Sequence, residues 1–130
     1  MDNRFIRTEL LLGKEGIEKL RRSTVAVFGI GGVGSFTCEA LVRSGLGKII
    51  LIDYDIIDIS NINRQIHATS KTVGLAKVEV MKDRLLDINP ELKVVTYKEK
   101  YNEETKEKLI STDYDYVVDA IDMVTSKIDL

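Results

Sequence analysis

Apolar residues in this chain fall into two patterns: short unbroken runs, and longer stretches at helical spacing. Thr24-Val25-Ala26-Val27-Phe28 and Lys48-Ile49-Ile50-Leu51-Ile52 are nearly continuous rather than alternating. Such runs suit strands of a parallel sheet that is covered on both faces. Leu92 to Tyr97 and Tyr114 to Asp119 read as two further strands. Between them, steps of three and four residues predict helices. One helix spans residues 32–45, with Val33, Phe36, Ala40 and Leu41 on one face and Cys38 on the core side. A second runs from near Gly74 to Asn89-Pro90 and carries Val78, Met81, Leu85 and Ile88 on one face. Thr105 to Leu109 is a short third helix. Residues 4–22 read as a helical lead in two pieces, broken near Gly13.

The first strand runs straight into Gly29-Ile30-Gly31-Gly32-Val33-Gly34 at the head of a helix. Strand, G-x-G-x-x-G, helix is the phosphate-cradling turn of a nucleotide-binding fold. Gly29 allows the tight turn, Gly31 lets backbone approach a phosphate, and Gly34 lets the helix pack on the strand. The second strand ends in Asp53, close to the spacing of a ribose-binding carboxylate. The element order predicts a Rossmann-like doubly wound α/β fold, a mainly parallel sheet of order 3-2-1-4. The helical lead covers residues 1–22, and the nucleotide-binding domain covers 23–130. The switch point of such a sheet lies between strands one and four. The glycine turn, Asp119 and Asp122 therefore converge on one crevice.

Residues 54–73 lack periodicity, and a compact domain rarely keeps so long a loop unless it has a task. The chain ends eight residues after Asp122, where another helix is due, and reads as the N-terminal portion of a longer protein. Composition narrows the classes. A net charge of -2 and a pI near 5.5 argue against a dedicated nucleic-acid-binding module. The single cysteine excludes an internal disulfide and a multi-cysteine zinc site. No run approaches the ~18–20 apolar residues of a membrane span. The N-terminus lacks a signal-peptide core. A soluble, cytoplasmic protein with no membrane partner is expected.

A glycine turn alone fits several chemistries. Here the long loop carries Ser60-Asn61-Ile62-Asn63-Arg64-Gln65-Ile66-His67, followed by Gly74-Leu75-Ala76-Lys77 and later by Asp119-Ala120-Ile121-Asp122. A dehydrogenase has no need of a fixed Arg, a fixed Lys and a terminal Asp around its pyrophosphate. An enzyme handling a triphosphate needs cations for the phosphates and a carboxylate for Mg²⁺.

With these residues the chain resembles the ATP-dependent activating enzymes related to ubiquitin-activating enzymes. That family carries G-x-G-G-x-G, D-x-D, S-N-x-x-R-Q, G-x-x-K and D-x-x-D in this order, and all five occur here. Arg64 to Ala68 and Asp119 to Asp122 are most similar to one branch, the tRNA threonylcarbamoyladenosine dehydratases. The resemblance covers the whole chain. It implies ATP and Mg²⁺ as cofactors. Gly29, Gly31, Gly32 and Gly34 line the phosphates and Asp53 holds the ribose. Asn61, Arg64 and Lys77 contact phosphates, the last two as catalytic cations. Asp122 is the metal ligand and the third catalytic residue. Arg7 stands where several members reach into a partner subunit's site, and a homodimer follows. Many members have Asn after the last Asp, where this chain has Met123. The reaction implied is adenylation of a carboxylate, that of the threonylcarbamoyl group of modified tRNA, followed by cyclisation. The alternative is an adenylyltransferase for a small ubiquitin-like sulfur-carrier protein. An NAD-dependent dehydrogenase and a nucleotide-binding or dimerisation module without turnover remain as weaker readings.

Structural roles compete at some of these positions. Asp53 also suits a cap or turn, and Asp119 a bond to nearby backbone. His67 reads as a packed or hydrogen-bonded loop residue. Lys98-Glu99-Lys100, with the charges at residues 103–108, reads as a solvated helix face.

Overall fold

The computed structural model describes residues 3–102, 105, 109 and 113–121. After a 3-10 turn at Asn3–Phe5 come α1 (Ile6–Arg21), β1 (Thr24–Phe28), α2 (Gly32–Ser44) and β2 (Lys48–Ile52). A second 3-10 turn, Ile59–Asn61, lies in the long loop before α3 (Lys77–Ile88), β3 (Lys93–Tyr97) and β4 (Tyr116–Asp119). The four strands form one sheet in the order β3-β2-β1-β4. All three pairings are parallel. This is the Rossmann-like order expected from the sequence. The short helix expected at Thr105 to Leu109 falls largely outside the described residues.

The unbroken apolar runs are explained by two cores. Val25, Val27, Ile49 and Leu51 face α2 and α3, where Cys38, Val42, Val78, Met81 and Leu85 meet them. Ala26, Phe28, Ile50 and Ile52 point to the opposite face, against Tyr101 and Leu109. A strand buried on both sides has no position for a polar residue. In α3 the expected face is the buried one: Val78, Met81 and Leu85 are fully enclosed. Glu39 on α2 pins this helix pair, taking an ion pair from Arg84 on α3 and another from Arg43.

α2 departs from expectation. Val33 and Phe36 are exposed, at 72% and 52%. Gly34, Ser35, Cys38 and Val42 form the buried line instead. The reason is local. A Cβ on Gly34 would lie 1.8 Å from the carbonyl oxygen of Gly29. Backbone-to-backbone contact at that glycine sets the rotation of the helix, and the larger apolar residues on either side turn outward. Gly45, in the left-handed conformation, ends α2.

The lead also breaks where expected. Gly13 has φ 78° and ψ 169° inside α1. Ile17 after the break is buried, but Leu10, Leu11 and Leu12 before it are exposed. Among the described residues no helix is long and apolar enough to cross a membrane.

Candidate functional site

The site starts from the glycine turn. Gly29 leaves β1 with φ 95°, and a Cβ there would sit 2.5 Å from the Ala120 carbonyl oxygen beyond β4. Only glycine fits both the conformation and the space. Gly31 is the N-cap of α2 and supplies no side-chain cap. The first N–H groups of α2 are therefore open donors at the positive end of a helix. Gly32 has room above it, its nearest neighbours being Arg64 atoms at 3.8 Å and beyond.

The turn opens into a cleft of about 120 Å³ at the carboxyl ends of β1, β2 and β4. A cleft at a sheet's switch point, with an apolar floor and a few polar groups, is where an α/β fold takes its ligand. Phe28, Ile52, Tyr101, Ala120 and Ile121 line its apolar part; Asp53, Asp55, Gln65 and Lys77 line its polar part. Phe28 and Tyr101 meet edge to face, with ring centroids 5.3 Å apart. The apolar part suits a flat base, and the helix terminus suits its phosphates.

Asp53 ties the two parts together. Its Oδ2 accepts the Ile30 N–H at 2.7 Å, and its Oδ1 accepts the Asp55 N–H at 2.8 Å. A carboxylate has about four acceptor positions, so sugar hydroxyls still find room. Lys77, the first residue of α3, is only 6% exposed. Its Nζ lies 3.7 Å from Asp55 Oδ2. A buried cation at the start of a helix opposes that helix's dipole, and an anion in the cleft relieves the cost.

The other sequence-derived residues fall differently. Asn61 is buried, and its Oδ1 accepts the Asp58 N–H at 2.8 Å, closing a capping box around the 3-10 turn. Arg64 is exposed beside Gly32, and its guanidinium donates to the Ser60 carbonyl and to Asn63 Oδ1. Neither lines the cleft. Arg7 is exposed near the start of α1, and the neighbouring Phe5 lies against Gly45 at the far end of α2 from the glycine turn. Asp119 Oδ1 accepts the Ile121 N–H at 3.2 Å, so it holds backbone at the cleft edge. Asp122 lies outside the described residues.

His67 is buried, with Nε2 2.7 Å from the Ile30 carbonyl oxygen. Burial and the charge of Lys77 hold its pKa below the ordinary histidine range. Burial pushes the Cys38 thiol far up, which leaves it an inert packing group.

Two features escaped the sequence reading. Gln65 is buried in the cleft wall, with Nε2 3.6 Å from where a Gly31 Cβ would stand and Oε1 lacking a partner among the described residues. Its signal was its place beside Arg64 in the quoted loop. The segment after β3 is not a solvated helix face at residues 98–101: Glu99, Lys100 and Tyr101 line the cleft, and the Lys100 ammonium lies 5.7 Å from the centre of the Tyr54 ring. Tyr101 inserts into the second core and draws its charged neighbours to the rim.

Comparison with known proteins identifies the family. The ThiF family pattern matches residues 3–130. A tRNA threonylcarbamoyladenosine dehydratase of Bacillus subtilis (strain 168) is 55% identical over 130 residues, covering 100% of this chain and 51% of that protein. The corresponding dehydratase of Escherichia coli (strain K12) is 44% identical over 124 residues, covering 95% of this chain and 46% of that one. The crystal structure of the E. coli enzyme in complex with ATP superposes with a TM-score of 0.94, covering 96% of this chain and 51% of that chain. The chain thus spans about half the length of the curated relatives it matches. With its switch-point cleft, its glycine turn and these matches, the chain belongs to the ThiF family.

Proposed function

We propose that this chain forms the ATP-binding, carboxylate-adenylating part of a cytoplasmic tRNA threonylcarbamoyladenosine dehydratase. The observation that carries the reading is the pairing of an uncapped α2 N-terminus with buried Lys77 across one cleft. Donors and a cation that face each other across a cavity are arranged for a chain of phosphates rather than for a neutral ligand. The E. coli relative solved with ATP supports the same ligand.

A carboxylate is a poor electrophile because its leaving group would be an oxide. Its attack on the α-phosphorus of ATP forms an acyl-adenylate and expels pyrophosphate. Negative charge grows on the phosphoryl oxygens during that step. Gly31, Gly32 and Gly34 bring backbone donors to those oxygens, and Gly29 keeps the turn in place. Lys77 supplies fixed positive charge, and Arg64 and Asn61 complete the phosphate contacts by rearranging from their bonds within the loop. Asp53 holds the ribose. An internal nucleophile of the substrate then displaces AMP and closes the ring. No protein nucleophile is needed, in keeping with the inert Cys38.

Mg²⁺ belongs to this reading through Asp122. Among the described residues no three His, Cys, Asp or Glu side chains cluster to hold a metal. Both Asp53 oxygens already accept N–H bonds. The ion would therefore rest on Asp122 and the phosphates themselves, as Mg²⁺ commonly does. A second copy of the chain is the partner we assign to the exposed Ile6, Leu10, Leu11 and Leu12 surface of α1. Light scattering of the full-length protein should then give a dimer, and a monomer would count against it.

The test is pyrophosphate release by the full-length protein with threonylcarbamoylated and unmodified tRNA. Release should need the modified tRNA and should disappear in Asp122→Ala. Lys77→Ala and Arg64→Ala should each lose about 10²–10³ in turnover, the scale of one lost charge-stabilising donor. Wild-type turnover in the Asp122→Ala, Lys77→Ala double variant would refute the site. Tight NAD binding with no response to Mg-ATP would refute the ligand.

A further inference from the structure

One buried residue of the long loop has no task in the chemistry above. His67 is 2% exposed, and its Nε2 lies 2.7 Å from the Ile30 carbonyl oxygen. A carbonyl oxygen only accepts, so Nε2 carries the proton and Nδ1 keeps the lone pair of a neutral ring. Nδ1 meets no donor among the described residues. The buried ring thus spends its hydrogen-bonding capacity on a single backbone oxygen.

That oxygen belongs to the residue between Gly29 and Gly31. The other polar group of Ile30, its N–H, donates to Asp53 Oδ2 at 2.7 Å. Ile30 is therefore gripped from two sides, by the end of β2 and by the loop. A trans peptide sets the C=O of one residue and the N–H of the next in opposite directions. With the Ile30 C=O drawn towards His67, the Gly31 N–H faces the other way. Gly31 lines the cleft, and its N–H donates to no group among the described residues. A flipped peptide would put a carbonyl dipole, negative end first, where phosphates approach. Gly31 on one side of this peptide accepts either sign of φ and lowers the cost of such a flip, so a bond that holds the plane has an effect.

We propose that His67 is a positioning residue, whose Nε2–H···O=C bond to Ile30 locks the Ile30–Gly31 peptide so that the Gly31 N–H is presented to the nucleotide phosphates. This rests on the reading that the phosphates lie at the glycine turn. The role is distinct from catalysis, since the ring touches no substrate atom.

The test compares adenosine, AMP and ATP binding to the full-length protein by calorimetry, alongside kcat and KM for ATP in pyrophosphate release. His67→Leu fills similar volume without a donor. His67→Gln keeps an N–H donor at nearly the reach of Nε2. In His67→Leu, ATP and AMP should bind about 10–100-fold more weakly, the worth of one hydrogen bond to a charged group. Adenosine binding should stay within about 2-fold, and His67→Gln should recover most of the lost ATP affinity. The loss should appear in KM for ATP at least as strongly as in kcat. If His67→Leu does not fold, His67→Asn, whose amide stops short of Ile30, takes its place. Equal losses for adenosine and ATP, or a Gln variant as weak as the Leu variant, overturn the proposal in favour of packing alone. Wild-type protein that binds adenosine as tightly as ATP would instead overturn the phosphate site, and the positioning role with it.

Discussion

Gly34→Ala is the sharpest probe of how the glycine turn is built. The new methyl carbon would stand 1.8 Å from the Gly29 oxygen and 2.8 Å from its carbonyl carbon. Real contacts of this kind do not fall below 3.0 Å, so the first turn of α2 must lift by more than 1 Å. Gly29 cannot retreat, because it is already packed against the backbone of Ala120. Overpacking against rigid backbone costs about 1–3 kcal/mol, and we expect the upper half of that range. The better helix propensity of alanine offsets up to about 1 kcal/mol. The net expectation is a loss of about 1–2 kcal/mol. The lift also carries the open N–H donors out of place, and a misplacement of about 1 Å is enough to cost ~10²-fold in function. Urea unfolding reads the first effect, and calorimetry with ATP the second. Gly32→Ala is the internal control, since its methyl group meets nothing closer than 3.8 Å. It should leave stability within about 0.5 kcal/mol of wild type. Equal unfolding midpoints for Gly34→Ala and wild type would show that α2 is not seated through this contact.

Three further expectations follow from the packing. Cys38 should resist a thiol-reactive dye in the folded protein and react fully in denaturant, since it is buried and its thiol is held protonated; rapid native labelling would contradict the core position. Burial raises the Glu39 pKa, but hydrogen bonds from Arg84 and Arg43 outweigh it and hold the carboxyl below its usual value. Its contribution is therefore present above the ordinary pKa of about 4.3 and is lost as pH falls through the lower folded value. Glu39→Gln should cost about 1 kcal/mol at neutral pH, and unfolding midpoints should show the gap closing in acid; a gap that does not change with pH would remove the ion pairs as its cause. Gly13→Ala should destabilise by about 1–3 kcal/mol, because φ 78° with ψ 169° belongs to glycine and no neighbour lies within 4 Å to share the effect; an unchanged melting temperature would mean that α1 can straighten freely.

The strands and their order were legible because burial on both faces removes polar alternation, as at Val25 to Phe28 and Ile49 to Ile52. The glycine turn was legible for a related reason: few residues other than glycine satisfy its geometry. The rotation of α2 was not. Periodicity counts large apolar residues, but a glycine contact decided which side faces the sheet, and Val33 and Phe36 were left outside. In the long loop, residue types alone do not separate a ligand contact from a local cap. Asn61 was read as the first, and the structure shows that its side chain also closes a local cap. Tyr101 shows the opposite limit. A single buried aromatic inside a charged stretch placed Glu99 and Lys100 on the cleft, and no count of charges announces it.

The parallel pairing of β4 with β1 has a kinetic consequence. β1 and β2 meet across a short span, and Asp53 reaches Ile30 over 23 residues. The Thr24 N–H finds the Asp115 carboxylate only across 91 residues. Closing the longer loop costs more entropy, so β4 docks late during folding. The wall that Ala120 presents to Gly29 is thus among the last surfaces to assemble. A chain with β1, α2 and β2 in place would have its sheet but only half a nucleotide cleft. In a folding-rate series, truncating Val27 should slow folding, whereas truncating Val118 should mainly speed unfolding. On the proposed function, nucleotide binds only the completed fold, so ATP should slow unfolding while leaving the folding rate unchanged.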